Sequence, residues 1–169
     1  MSDVVSNYEH KYETKFIIDS SEDFERIDEI GISDYDRVFI VIDENVSKLY
    51  EEKLLPKMIN GKQELFVHRV KPVEETKSIA YYPKLVEFFE ENTAGRYDAV
   101  VAIGGGIVID LVSFTVSTYM RGLPFFIVAT TLIGQTDAST AGKTCLNSYN
   151  TKNLLGTFFY PKVVYNSIP

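Results

Sequence analysis

The sequence predicts an α/β domain: an open, mostly parallel sheet with helices on both faces. Three observations carry this. The runs at 37–42 and 98–103 are continuously apolar, which suits strands covered on both sides, the habit of parallel sheets. Such runs alternate with segments whose apolar residues recur at helical spacing. The runs then end on polar residues or glycine, at Asp43, Gly104 and Thr130, and ligands on such sheets bind outside the carboxyl ends of the strands.

Taken in order, residues 1–10 are polar and read as loose, and a first strand is expected over 11–19. Ser20 and Ser21, followed by Glu22 and Asp23, look like a helix start. That helix should run through Phe24, Ile27 and Ile30 and stop at Gly31. The second strand, 37–42, leads through Asp43 and Asn45 into a helix over 46–59, kinked or split at Pro56. A third strand follows at 64–70. Thr76 should cap a long amphipathic helix to about residue 92, with Pro83 disturbing its first turn. Then come the strand 98–103, a triple glycine, a helix over 107–120 and a strand over 124–129. Residues 137–153 have no helical period and read as a loop or hairpin, and a last strand is expected at 162–165.

Composition narrows the function classes. The chain has 169 residues, 45% hydrophobic and 24% charged, an ordinary globular mix that suits one domain. A net charge of -7 argues against coating nucleic acid or an anionic membrane. No apolar stretch reads as a membrane span and no signal peptide is visible. The single cysteine, Cys145, fits a reducing cytoplasm and has no histidine nearby to make it a nucleophile. His10 and His68 are isolated, His68 among apolar residues as a structural histidine would be. No His, Cys or carboxylate residues show metal-ligand spacing.

The candidate chemistry gathers after residue 97. Gly104-Gly105-Gly106 follows a strand and opens a helix, where bare backbone lets a pyrophosphate approach free N–H groups. It is not the Gly-x-Gly-x-x-Gly fingerprint, and a structural turn is an equal reading. Asp110, one turn on, is a helix-dipole partner or a cofactor contact. Asp43 and Asn45 are better read as a helix cap than as ribose contacts on local grounds. Glu74 and Lys77 could be an exposed pair, Thr130 and Thr131 turn hydroxyls or ligand contacts, and Arg121 a dipole partner or a phosphate ligand. Asp137, Lys143, Asn147, Lys152 and Asn153 form the densest polar cluster, either a solvated loop or part of a site.

These pieces together resemble the N-terminal domain of the 3-dehydroquinate synthases and related sugar-phosphate cyclases. The resemblance is carried by the segments 104–110, 121–122, 130–132, 137–144, Asn147 and 152–158 with Pro161, and upstream by 43–46 and 74–77. It implies a Rossmann-like NAD-binding domain over residues 1–169, with a helical, metal-binding C-terminal domain absent, so that the chain alone should be inactive. It implies that Asp43, Asn45, Glu74, Lys77, Gly105, Gly106, Ile107, Asp110, Thr130, Thr131 and Lys152 line NAD. Asp137, Lys143 and Asn153 would face a phosphorylated keto-sugar acid. Arg121 would reach the substrate phosphate in the partner protomer of a cytoplasmic homodimer. A divalent metal, zinc or cobalt, would come only with the other domain.

Some positions depart from the family pattern: Val73, Ile109, Ser113 and Ala141 stand where glycine is common, which predicts a crowded backbone near the cofactor. The competing readings are another cyclase of the 2-deoxy-scyllo-inosose synthase type, an iron-dependent alcohol dehydrogenase-like domain, and a non-catalytic nucleotide-binding module.

Overall fold

The computed structural model describes residues 11–21 and 23–168. The expectations for residues 1–10 and for Glu22 lie outside that range. Six strands form one wholly parallel sheet: β1 (Lys15–Asp19), β2 (Arg37–Asp43), β3 (Glu64–Val70), β4 (Ala99–Gly104), β5 (Phe125–Ala129) and β8 (Val163–Ser167), in the order β1-β8-β5-β4-β2-β3. The helices are α1 (Glu44–Met58), α2 (Tyr82–Glu91) and α3 (Gly106–Thr118), and a separate antiparallel pair, β6 (Lys143–Leu146) and β7 (Leu155–Phe158), lies outside the sheet.

Alternation along the central strands splits the core in two, because successive strand side chains point to opposite faces. Phe39 and Val41 of β2, Val100 and Ala102 of β4, and Phe125 and Ile127 of β5 pack with Leu85 and Phe89 of α2 and with α3. Their neighbours Val38, Ile40, Ile42, Val101, Ile103 and Phe126 pack with Leu54, Leu55 and Met58 of α1. Each such fully buried aliphatic side chain contributes about 1.5–3 kcal/mol. The continuous apolar runs thus have their expected cause, a layer of helix on each side.

The chain leaves β2 into α1 on one face and leaves its neighbour β4 into α3 on the other. The carboxyl ends of β2 and β4 therefore splay their following helices apart and leave a crevice between Asp43 and Gly104. A Cβ on Gly104 would lie 3.2 Å from the Asp43 Cβ, so the two loops start in contact.

Several boundaries differ from expectation for identifiable reasons. The first strand begins at Lys15 rather than at residue 11. Among the described residues of 20–30, no α-helix forms. Instead the Asp19 carboxylate accepts from the Ser21 and Arg26 N–H groups, Phe24 takes a positive φ of 53°, and only a short 3-10 turn forms at Ile27–Ile30 before Gly31 ends it. Asp43 caps α1 as read, accepting from the Asn45 and Val46 N–H groups. Pro56 neither kinks nor splits α1, because it sits in the last turn, where few bonds remain to be lost. Thr76 caps no helix. Its hydroxyl donates to the Lys71 carbonyl (2.8 Å), residues 74–81 form turns, and α2 starts only at Tyr82 with Pro83 in its first turn, the place a proline suits. The segment 137–153 is in part a hairpin, but Asp137 lies on a π-helical turn, Gly134–Ala138. His68 is half-buried, with Nε2 3.3 Å from the Tyr81 hydroxyl, the structural histidine expected.

The hairpin explains why α3 is apolar nearly all round. It covers the face of α3 turned away from the sheet, and the Thr157 hydroxyl donates to Ser117 Oγ at 2.7 Å. Gly156 is required there: a Cβ would stand 2.3 Å from the Thr144 carbonyl oxygen.

Candidate active-site cleft

The crevice opens into a cavity of about 880 Å³. Its floor is the turn from β4 into α3. Gly105 leaves no room for a side chain, since a Cβ would lie 2.9 Å from Thr131 Cγ2, and the helix starts immediately at Gly106. The first bond within α3 runs from the Ile109 N–H to the Gly105 carbonyl (3.0 Å). The N–H groups of Gly106, Ile107 and Val108 therefore precede the ladder, at the positive end of the dipole. Bare backbone, unclaimed donors and room in front of them suit a phosphate group.

Thr131 does two things. Its hydroxyl accepts from the Gly134 N–H (3.1 Å), capping the turn that carries Asp137, and it lines the cavity. Asp137 and Ala138 then form one wall, and Lys143 and Cys145 of β6 continue it with Asn153. On the other side Glu74 and Lys77 reach in from the segment before α2.

The centre of the cleft is an ion pair. Lys77 Nζ lies 2.5 Å from Asp110 Oδ2, and each side chain is 12% exposed. Burial works against the charge on Lys77, but the Asp110 carboxylate outweighs it and holds the ammonium above its ordinary range. Burial pushes the Asp110 carboxyl up from its usual value; Lys77 and the Cys145 thiol oppose that, and the charge of Asp137 adds to it. Glu74 is held below the usual carboxylate range by a hydrogen bond from Asn147, against a smaller effect of burial and with help from Lys152 and Lys77.

Of the residues read as a site, Asp43, Glu74, Lys77, Gly105, Gly106, Ile107, Asp110, Thr131, Asp137, Lys143 and Asn153 all line this one cavity. Four do not. Asn45 is exposed in the first turn of α1. Thr130 opens into a separate hollow on the α1 face with Val46, Tyr50 and Ser167. Lys152 stands at the rim, its Nζ 3.4 Å from Glu74 Oε1. Arg121 follows α3 at the opposite end of that helix from the glycine turn, and one chain does not bring it to Asp137, Lys143 and Asn153.

The crowding predicted from two of the substitutions does not arise. Ile109 is fully buried in the core against the sheet, and Ser113 is buried with its hydroxyl on the Asp110 carbonyl. Neither Val73 nor these two lines the cavity, whereas Ala141 does.

Sequence reasoning passed over Cys145. Its thiol contacts Asp110 Oδ2 at 3.3 Å and Asn153 Oδ1 at 3.4 Å inside the cleft. The signal was available: Cys145 is two residues beyond Lys143 on one strand, so both share a face. Burial, then the Asp110 charge, push the thiol above its ordinary range against the pull of Lys77. Iodoacetamide is accordingly expected to alkylate Cys145 at least about tenfold more slowly at pH 8 than a free thiol of ordinary pKa. Mass-spectrometric rates in folded and urea-unfolded chain check this, and equal rates would place the thiol in open solvent.

Among the described residues, no group of three or more His, Cys, Asp and Glu side chains is placed to hold a metal ion. No helix among them is long and apolar enough to cross a membrane.

An open parallel sheet with a glycine turn and a polar cleft at its switch point defines a Rossmann-like α/β domain. Known proteins narrow the class. The family described as 3-dehydroquinate synthase N-terminal matches residues 67–169, more than half of the sequence. The chain belongs to this 3-dehydroquinate synthase family. A 3-dehydroquinate synthase of Clostridium botulinum (strain Alaska E43 / Type E3) is 39% identical over 128 residues, covering 76% of this chain and 37% of that protein. One of Enterococcus faecalis (strain ATCC 700802 / V583) is 42% identical over 125 residues, covering 74% and 35%. The chain thus spans little more than a third of the length of these relatives.

Among solved structures, a 2-epi-5-epi-valiolone synthase from Streptomyces hygroscopicus subsp. jinggangensis 5008 with NAD+ and Zn2+ bound superposes with a TM-score of 0.80 at 26% identity, over 98% of this chain and 45% of that one. A 2-deoxy-scyllo-inosose synthase complexed with carbaglucose-6-phosphate, NAD+ and Co2+ also gives 0.80, at 22% identity, over 90% and 42%, and shares the fold. An NADH-dependent butanol dehydrogenase from Thermotoga maritima shares the fold at 0.70 and 16% identity, over 95% and 44%.

Proposed function

We propose that this chain forms the NAD-binding wall of a 3-dehydroquinate synthase, the carbon–oxygen lyase that converts 3-deoxy-arabino-heptulosonate 7-phosphate to 3-dehydroquinate with loss of phosphate in the shikimate pathway. The observation that carries the reading is the Gly105–Gly106 cradle opening on the same cavity as the Lys77–Asp110 pair. NAD, if held there, would supply a hydride acceptor for a substrate hydroxyl carbon.

The roles follow from chemistry and place. The N–H groups of Gly106 and Ile107 bind pyrophosphate oxygens. Asp43, whose Oδ1 already caps α1, would offer its other oxygen to a ribose hydroxyl. Asn45 and Thr130 lie outside the cavity, and their cofactor role rests on the family resemblance alone. Thr131 bounds the cradle. Glu74, Lys77 and Asp110 hold the far end of the cofactor, and Lys152 screens it at the rim. Lys143 attracts the anionic substrate, and Asp137 and Asn153 take its hydroxyls. Arg121 serves a partner's substrate phosphate in a cytoplasmic homodimer. Zinc or cobalt would be held by the family's helical C-terminal domain.

The test is direct because of a geometric accident at Gly106. A Cβ there meets only Ala138 Cβ and Ile133 Cγ2, both at 3.9 Å, so a β-carbon is accommodated in ordinary contact. In an enzyme containing this chain, Gly106→Asp is expected to weaken NAD binding about 100-fold, or about 2.7 kcal/mol, by calorimetry. Unchanged affinity would remove the pyrophosphate from this turn. This chain alone, offering one wall of the cleft, is expected to bind NAD weakly or not at all, whereas tight metal-independent binding would favour a stand-alone nucleotide-binding module.

The structural similarity to other cyclases gives one competing reading, a synthase of the 2-deoxy-scyllo-inosose type. Turnover of glucose 6-phosphate rather than the heptulosonate phosphate would establish it.

A further inference from the structure

Asn147 is buried just past β6, 7% exposed, and does not line the cavity. Its amide nevertheless touches both sides of the cleft. Nδ2 donates to Glu74 Oε1 at 2.8 Å, and Oδ1 accepts from the Asn153 N–H at 2.9 Å. A carboxylate only accepts and a backbone N–H only donates, so the amide can sit one way round alone. Its backbone is committed as well: its N–H donates to the Lys77 carbonyl (3.0 Å) and its carbonyl accepts from the Ile79 N–H (2.9 Å).

Both ends need holding. Asn153 has a φ of 54°, in the left-handed region, which asparagine adopts more readily than most residues with a Cβ. Its side chain is the one that meets the Cys145 thiol in the cleft. Glu74 belongs to a stretch with no helix of its own, tied to the rest of the fold through Asn147 and by Lys152 at 3.4 Å.

We propose that Asn147 is a positioning residue that joins the Glu74–Lys77 side of the cleft to the Lys152–Asn153 side, so that the two walls hold one spacing. The proposal rests on the reading above for what those walls bind, while the joint itself is measurable without any ligand.

The experiment is amide hydrogen exchange at Asn153 by NMR on this chain, together with the carbon-detected titration of the Glu74 carboxyl. Asn147→Ala removes both arms. It should speed Asn153 exchange at least about tenfold relative to the amides of β6 and raise the Glu74 titration midpoint, since the main hydrogen bond holding it low is gone. Asn147→Asp is the informative rescue. It keeps an acceptor for Asn153 and so should leave that amide within about threefold of wild type. It also sets a second carboxylate against Glu74, whose midpoint should rise further. Should Asn147→Ala fail to fold, Asn147→Ser, too short to reach either partner, replaces it. Wild-type exchange at Asn153 in Asn147→Ala or Asn147→Ser would overturn the proposal. So would faster exchange spread evenly over β6, β7 and Asn153, or a Glu74 midpoint unmoved by Asn147→Asp. Unchanged NAD affinity of Gly106→Asp in an enzyme containing this chain would sink the reading above and leave these outcomes readable.

Discussion

Asp110→Ala is expected to lower the unfolding free energy by about 3 kcal/mol, although the residue belongs to a cleft and not to the apolar core. The reason is what it leaves behind. Lys77 is nearly buried and its ammonium has Asp110 as its ion-pair partner. Removing one member of a buried pair strands the other charge at a cost of about 3–5 kcal/mol, and the cleft's opening to water places this case at the lower end. The Cys145 thiol loses one of its two acceptors at the same time. Lys77→Ala should cost a similar amount. The double variant should fall well short of the sum, because each single change already breaks the pair. Urea denaturation of the four proteins measures this, and additive losses would show that the pair is not coupled.

Asp19 carries the second large effect. At the end of β1, 3% exposed, it accepts from the Ser21 N–H (2.9 Å), the Arg26 N–H (3.0 Å) and the hydroxyl of the fully buried Tyr165. Burial alone would raise its pKa, but the bonds from Tyr165, Ser21 and Arg26 together outweigh burial and hold the carboxyl far below the usual range. A depressed acid contributes stability that is complete above its unfolded pKa, about 3.9, and lost as pH falls below it. The chain should therefore lose stability between about pH 5 and pH 2 more steeply than Asp19→Asn does. Asp19→Ala, which orphans three donors, should cost about 2–3 kcal/mol at pH 7. Parallel acid transitions for wild type and Asp19→Asn would refute the assignment.

Both effects bear on what could be read from the residues alone. The sheet was legible because Val38 to Ile42 and Val100 to Ile103 are buried on both faces, and burial leaves an unbroken apolar run. The start of α1 was legible because Asp43 caps it through bonds spanning two and three residues. The misread stretches are those whose structure is decided at long range. Ser20 and Ser21 look like a helix start, yet nothing local says that the Asp19 carboxylate, itself anchored by Tyr165, will claim the Arg26 N–H. Residues 74–81 look like the first turns of α2, but their backbone is bound by Asn147, seventy residues later in the chain. Family resemblance named residues of which the fold gathers eleven around one cavity. The spacing was not legible, since Cys145 meets Asp110, and Asn147 meets Glu74, only when the hairpin lies down on α3.

The placement of that hairpin couples the cleft to the sheet. β5 and β8 lie side by side in the sheet, yet the chain between them makes an excursion that carries Asp137, Lys143, Cys145, Asn147 and Asn153 before it returns. The excursion is tied back at several points: Gln135 Nε2 donates to the Ala129 and Ser167 carbonyls, the Cys145 thiol meets Asp110, Asn147 meets Glu74, and Thr157 meets Ser117. A change in its length or residues therefore bears on α3, on the Glu74 segment and on the ends of β5 and β8 together.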